Sequence, residues 1–279
     1  METLESLAEF TNKYPQGEKE PDKLNYIFIG GTAVRLTQEL IDDSPRRVIS
    51  DFDLLTFISG KYPVHNFDIG TLFGNPEIET KEILPYISSV NIFGRDYHFS
   101  DSNLTTVSKT CITDPVREKD FNDVFLLNNN GLLNQDYLKD LYQKSARITK
   151  NSELVVDVLD WLISEKTDER IKLFGTFPRM VNLLNDLPDF SLKDSLLSYS
   201  SSERKNSYQI SSVFYDIHSF LREVPFEERG ELLKPLLSKA SRNDYSDFDR
   251  FVHNELIPSY RYGNSEKRER LIKNLKDYS

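Results

Sequence analysis

A chain of 279 residues with 38% hydrophobic and 29% charged side chains holds enough apolar material for one large or two modest cores, which excludes a disordered polypeptide. Its 45 acidic against 35 basic residues give a net charge of −10, which excludes broad nucleic-acid binding through a basic surface, though not a phosphate-bearing substrate met by a local basic cluster. Cys111 is the single cysteine, so an internal disulfide is excluded; no apolar run suits a membrane span and the acidic start Met1–Glu5 does not read as a secretory signal, so a cytoplasmic protein without a membrane partner is expected.

Leu4 to Asn12 carries helical apolar spacing and precedes a polar loop with Pro15, Gly17 and Pro21. Tyr26-Ile27-Phe28-Ile29 reads as a short buried strand running straight into Gly30-Gly31, and 32–41 as a helix ended by Asp42, Asp43, Ser44 and Pro45. Residues 52–58 and 64–69 read as two strands joined by a turn at 59–63, a pattern that suits a hairpin. A helix at 77–87 follows, then a strand pair over 89–99 broken at Gly94-Arg95. Asp101 or Ser102 is expected to cap a helix from Leu104 to Ile112, and a loop with Pro115 leads to a helix at 120–127.

Beyond about residue 135 strand signals vanish. Segments 135–147, 152–166, 169–182, 190–199, 208–223, 227–239, 245–257 and 265–277 all carry helical spacing, with a Ser-rich polar stretch at 198–207. The expected architecture is α+β: a mixed-sheet module over 1–130 followed by an all-helical domain over 131–279.

Two elements carry chemistry. On a strand, residues i and i+2 share a face, so Asp51 and Asp53 project their carboxylates together, a pair suited to a hard divalent cation such as Mg²⁺ or Mn²⁺. Gly30-Gly31 between strand and helix lets the backbone approach a phosphate, with the N–H groups of the helix's first turn aimed at the anion. The string Ser-Asp-Phe-Asp also recurs at 246–249, within a helical pattern where Asp247 and Asp249 point about 200° apart and no glycine pair precedes them; that copy reads as a helix start. His65, His98, His218 and His253 are scattered and read as structural. The basic tail Lys267, Arg268, Arg270, Lys273 and Lys276 reads as a solvated helix face and as the place an RNA would touch.

Ile29-Gly30-Gly31-Thr32-Ala33, with Arg47 four residues before Asp51-Phe52-Asp53-Leu54, resembles the N-terminal motif of AbiEii-type nucleotidyltransferases of the polymerase β-like superfamily. Leu104 to Lys109 followed by Arg117-Glu118-Lys119-Asp120-Phe121-Asn122-Asp123-Val124 is similar to that family's lysine-bearing helix and its Arg/Lys-Asp-x-x-Asp segment. The two blocks span about residues 26–127. The family's serine two residues before the first aspartate is replaced here by Ser50, immediately before it.

The resemblance implies a polymerase β-like fold and metal-dependent transfer of a nucleoside monophosphate from an NTP to an acceptor hydroxyl. Asp51 and Asp53 would hold metal. Asp68, chosen for its apolar flanks on the facing strand, would supply the third carboxylate, with Asp96 as the alternative. Gly30, Gly31, Thr32 and Lys109 would hold the triphosphate, Arg47 would neutralise charge, and Asp120 would act as base or organiser. It further implies the toxin of a toxin–antitoxin pair, with tRNA or another RNA as acceptor and a cognate antitoxin as partner. The acceptor could equally be a small molecule, and a non-catalytic binding protein with the same fold is the competing expectation.

Overall fold

The structure is a computed structural model and describes residues 3–41, 45–58, 60–111, 116–146, 151–164, 173–202 and 205–279. The expected helix end at 42–44, the turn residue Ser59, the loop at Pro115 and the helix start at 169–172 lie outside them. The chain divides into two compact units, Met1–Asp114 with Lys119–Ile163, and Pro115–Glu118 with Ser164–Ser279. It is α+β in architecture: a mixed α/β N-terminal region around one sheet, then an all-helical C-terminal region.

In the first unit Thr3 opens α1 (Leu4–Lys13) through a capping box with Ser6, which satisfies otherwise unpaired backbone donors. Tyr26–Ile29 forms β1, and all four residues are buried, as an uninterrupted apolar run in a central strand requires. The remaining strands are β2 (Asp53–Thr56), β3 (His65–Asp68), β4 (Ile87–Ile92) and β5 (Arg95–Ser100), in the spatial order β3-β2-β1-β5-β4. Pairing is antiparallel for β1–β2 and β4–β5 and parallel for β2–β3 and β1–β5. Tyr26, Phe28, Leu54, Tyr97 and Phe99 from three adjacent strands pack with Leu7, Leu36 and Phe52. Each such side chain contributes about 1.5–3 kcal/mol when fully buried.

The expected hairpin between the second and third strands does not form, since β2 and β3 run parallel. After β2 the chain turns back over the start of β1, where Phe57 and Ile58 N–H groups donate to the Asn25 carbonyl. Tyr62 then packs its ring against Tyr14 and Tyr26. That partly buried ring rests on the core just before the chain enters β3 alongside β2. The β4–β5 pair is a true hairpin: Phe93 and Gly94 both hold positive φ, 55° and 75°, the twist that suits a two-residue connection. The expected helix at 77–87 shrinks to α4 (Thr80–Ile83) with a 3₁₀ turn carrying Pro85, because Ile87 already belongs to β4.

The other helices of this unit are α2 (Gly30–Ile41), α3 (Ile69–Phe73), α5 (Ser102–Cys111), α6 (Glu118–Asn129), α7 (Gln135–Lys144) and α8 (Ser152–Ser164). Asp101 caps α5 by accepting from the Leu104 N–H at 2.7 Å. The boundary expected at 130/131 falls within this unit, where α7 packs against α5 through Thr110 and Tyr142, whose hydroxyls lie 2.8 Å apart.

The second unit contains α9 (Phe177–Asn185), α10 (Lys193–Ser200), α11 (Ser207–Leu221), α12 (Arg229–Arg242), α13 (Tyr245–Phe251), a π-helical turn (Val252–Leu256), α14 (Ile257–Tyr262) and α15 (Ser265–Lys276). Ile210, Val213, Phe214, Ile217, Phe220 and Leu221 give α11 a buried stripe at helical spacing, and it packs against α9, α12 and α13. Lys267, Arg270, Lys273 and Lys276 are exposed on α15, as a solvated face requires. Among the described residues no helix is long and apolar enough to cross a membrane.

Candidate active site

The antiparallel register of β1 and β2 sets Ile29 opposite Asp53, so β2 begins its pairing with Asp53 beside the glycines. Gly30 takes φ +62°, which favours glycine, and a Cβ there would stand 2.8 Å from Asp53 Oδ2. A Cβ on Gly31 would stand 3.1 Å from Arg47 Nε and 3.2 Å from its Nη2. The two glycines therefore make room for one carboxylate and one guanidinium at the start of α2. Thr32 is fully buried, and its hydroxyl donates to the Asp51 carbonyl at 3.1 Å, tying this turn to the aspartate segment.

Asp51 lies just before β2 and is exposed, accepting a 2.5 Å hydrogen bond from the Ser50 hydroxyl. Phe52 turns into the core between the two acids, leaving Asp51 and Asp53 on the outer side. Burial and then the Asp51 charge hold the Asp53 carboxyl above the ordinary carboxylate range, while His65 and Lys109 pull it back. His65 Nδ1 stands 3.4 Å from Asp53 Oδ1, because the parallel register sets His65 directly opposite Asp53.

The second sequence block folds onto the first. Arg47 Nη1 meets Asp123 Oδ1 at 2.9 Å, while Lys109 Nζ meets Asp123 Oδ2 at 2.6 Å and Asp120 Oδ1 at 3.0 Å. The Lys109, Asp120 and Asp123 side chains are each no more than 5% exposed. Burial pushes the Asp123 carboxyl up, and the charges of Lys109 and Arg47 oppose that push. Two bases balance two acids in this inner network, so the net negative charge of the site resides on Asp51 and Asp53. Arg47 Nε is buried with no hydrogen-bond acceptor, beside the N-terminus of α2.

Gly30, Gly31, Thr32, Arg47, Asp51, Asp53, Lys109 and Asp120 thus gather in one region, and Asp68 does not join them. Asp68 pairs opposite Thr56, which itself pairs with Tyr26, so it sits at the far end of β1 from the glycines. Three residues of strand separate its level from that of Asp53, about 10 Å at the usual rise. Its carboxylate caps α3, accepting from the Thr71 N–H at 2.7 Å and hydroxyl at 3.0 Å. Asp96 also lies at the level where β1 begins and accepts from Asn91 at 2.9 Å.

Sequence reasoning paired Asp123 with Asp120, three residues apart on one helix face, and the structure brings both to Lys109. It passed over His65, whose place beside Asp53 follows only from strand register. No family model, no curated protein and no solved structure matches the chain.

Proposed function

We propose that the first unit is a polymerase β-like nucleotidyltransferase that moves a nucleoside monophosphate from an NTP to an acceptor hydroxyl. The observation that carries this reading is that Asp53 and Arg47 stand where side chains on Gly30 and Gly31 would meet them, and that ion pairs run on from Arg47 to Asp123, Lys109 and Asp120. Residues from both blocks of the AbiEii-like pattern, up to 93 positions apart (Gly30 to Asp123), gather in one region, which supports this reading.

The donor set suits Mg²⁺ or Mn²⁺: two carboxylates on an open lip, mutually repelling, with room for water and phosphate oxygens. When bound, such a cation neutralises triphosphate charge and makes the attacking hydroxyl more acidic. The chain's own part is positional. Backbone N–H groups of Gly31 and the following turn of α2 receive phosphate oxygens, and Arg47 Nε offers an unused donor beside them. Lys109 pairs with both Asp120 and Asp123 and, through Asp123, fixes Arg47. The acceptor we favour is tRNA or another RNA, with a cognate antitoxin as regulatory partner.

A second reading, a binding protein without catalysis, is favoured by the full engagement of Lys109 by two acids, which leaves its charge no exposed target. Thermal unfolding with Mg²⁺ and each NTP separates the two. The enzyme is stabilised by the combination and Asp53→Ala is not; a wild type indifferent to every NTP would remove the catalytic reading.

A further inference from the structure

The second copy of Ser-Asp-Phe-Asp contributes to a different constellation. Asp244 caps α13 by accepting from the Asp247 N–H at 3.0 Å, and Asp247 faces solvent. Asp249 lies on another face. Four residues later comes His253, on the π-helical turn, so the two side chains stand one above the other. Facing them from α11 is Asp216, whose side chain is only 2% exposed.

His253 Nε2 stands 3.1 Å from Asp216 Oδ1 and 3.6 Å from Asp249 Oδ1, and one ligand atom from each residue lies within 4.8 Å of the others. Metal–ligand bonds of about 2.0–2.1 Å require ligand-to-ligand separations of about 3.0 Å for octahedral and 3.3 Å for tetrahedral geometry. The 3.1 and 3.6 Å separations fall on either side of the tetrahedral value, and the third is within 4.8 Å. A second observation points the same way. The Asp216 carboxylate is buried, bonded to His253 through Oδ1 and drawn on by the Tyr245 hydroxyl, while its Oδ2 meets no donor with full hydrogen-bond geometry. A buried carboxylate with an unmatched oxygen is costly unless a cation or donor reaches it.

We propose that Asp216, Asp249 and His253 form a binding site for one divalent transition-metal ion of the Zn²⁺ class, independent of the nucleotide site. The mixed oxygen and nitrogen donors favour such an ion over Mg²⁺ or Ca²⁺, which take oxygen ligands. The ion joins α11 to the α13 segment, with Asp216 as the buried anchor and the two half-exposed ligands closing over it. The π-helical turn that carries His253 belongs to a class of helix irregularity frequent at functional sites.

The test uses the full-length chain, stripped with chelator and titrated with Zn²⁺ alone, following heat of binding, retained metal after gel filtration and melting temperature. Asp51→Asn/Asp53→Asn serves as the background in which the other carboxylate pair is disabled. The expected result is one Zn²⁺ per chain in wild type and in that background, with a rise in melting temperature. His253→Ala and Asp249→Asn, both at half-exposed positions, weaken binding by about thirtyfold or more, in line with the loss of a metal ligand. Circular dichroism of the metal-free variants confirms their helical content. Failure of wild type to retain Zn²⁺, loss of binding in the Asp51→Asn/Asp53→Asn background, or unchanged affinity in both ligand variants would overturn the proposal.

Discussion

Lys109→Met tests the buried network directly. Lys109 serves Asp120 and Asp123 at 3.0 and 2.6 Å, and all three side chains are nearly excluded from solvent. Methionine matches the volume and removes the charge, taking from both buried carboxylates the cation that joins them. Removing one partner of a buried ion pair costs about 3–5 kcal/mol, far more than an exposed pair is worth. For a unit of this size each kcal/mol moves the midpoint about 2–4 °C, so a fall of roughly 6–20 °C is expected. The single tryptophan, Trp161, lies on α8 of the first unit, so its fluorescence reports that unit's unfolding in heat or urea. Acidification should shrink the deficit, because the stranded carboxylates are relieved as they protonate. A loss below about 1 kcal/mol, the range of surface pairs, or a deficit that grows as pH falls, would refute the reasoning.

Three further outcomes are expected. Because burial and Asp51 raise the Asp53 carboxyl in the folded chain, the folded state holds that proton more readily, and stability falls as pH rises from the unfolded value through the folded one. Asp53→Asn should therefore be more stable at neutral pH by on the order of 1 kcal/mol, with the gap closing on acidification in a pH series of urea melts. A variant less stable than wild type at neutral pH would contradict this. Gly30→Ala forces a side chain into φ +62° and against Asp53 Oδ2, so a loss of about 1–3 kcal/mol is expected together with loss of Mg²⁺-dependent nucleotide stabilisation; an unperturbed variant would show the turn to be slack. Asp68→Ala should lose an N-cap worth about 1 kcal/mol yet keep nucleotide stabilisation, and calorimetry showing lost Mg²⁺ binding would return Asp68 to the site.

The elements that were legible in the sequence are those whose signals are local. Tyr26–Ile29 is an uninterrupted apolar run ending at a glycine pair, and it is the buried central strand. Asp101 before a helical pattern is a cap, and Ser-Asp-Phe-Asp at 246–249 is helical. What failed is what depends on partners distant in sequence. Apolar flanks made Asp68 look like a third carboxylate, but strand direction decides which end of the sheet a residue reaches, and β3 runs parallel to β2. The same register brought His65 to Asp53. Asp249 was correctly separated from Asp247 by helical geometry, whereas its meeting with Asp216, 33 residues earlier (249 less 216), has no local trace.

The central claim is transfer of a nucleotide at Asp51 and Asp53. It is tested most directly by incubating the full chain with Mg²⁺, each α-labelled NTP in turn, and total RNA, the protein alone, or small-molecule pools, then following label into an acceptor. The account predicts label in a discrete acceptor, tRNA foremost, from wild type, and none from Asp51→Ala/Asp53→Ala. Transfer that persists in the double variant, or no transfer from wild type to any of the three pools, would contradict it.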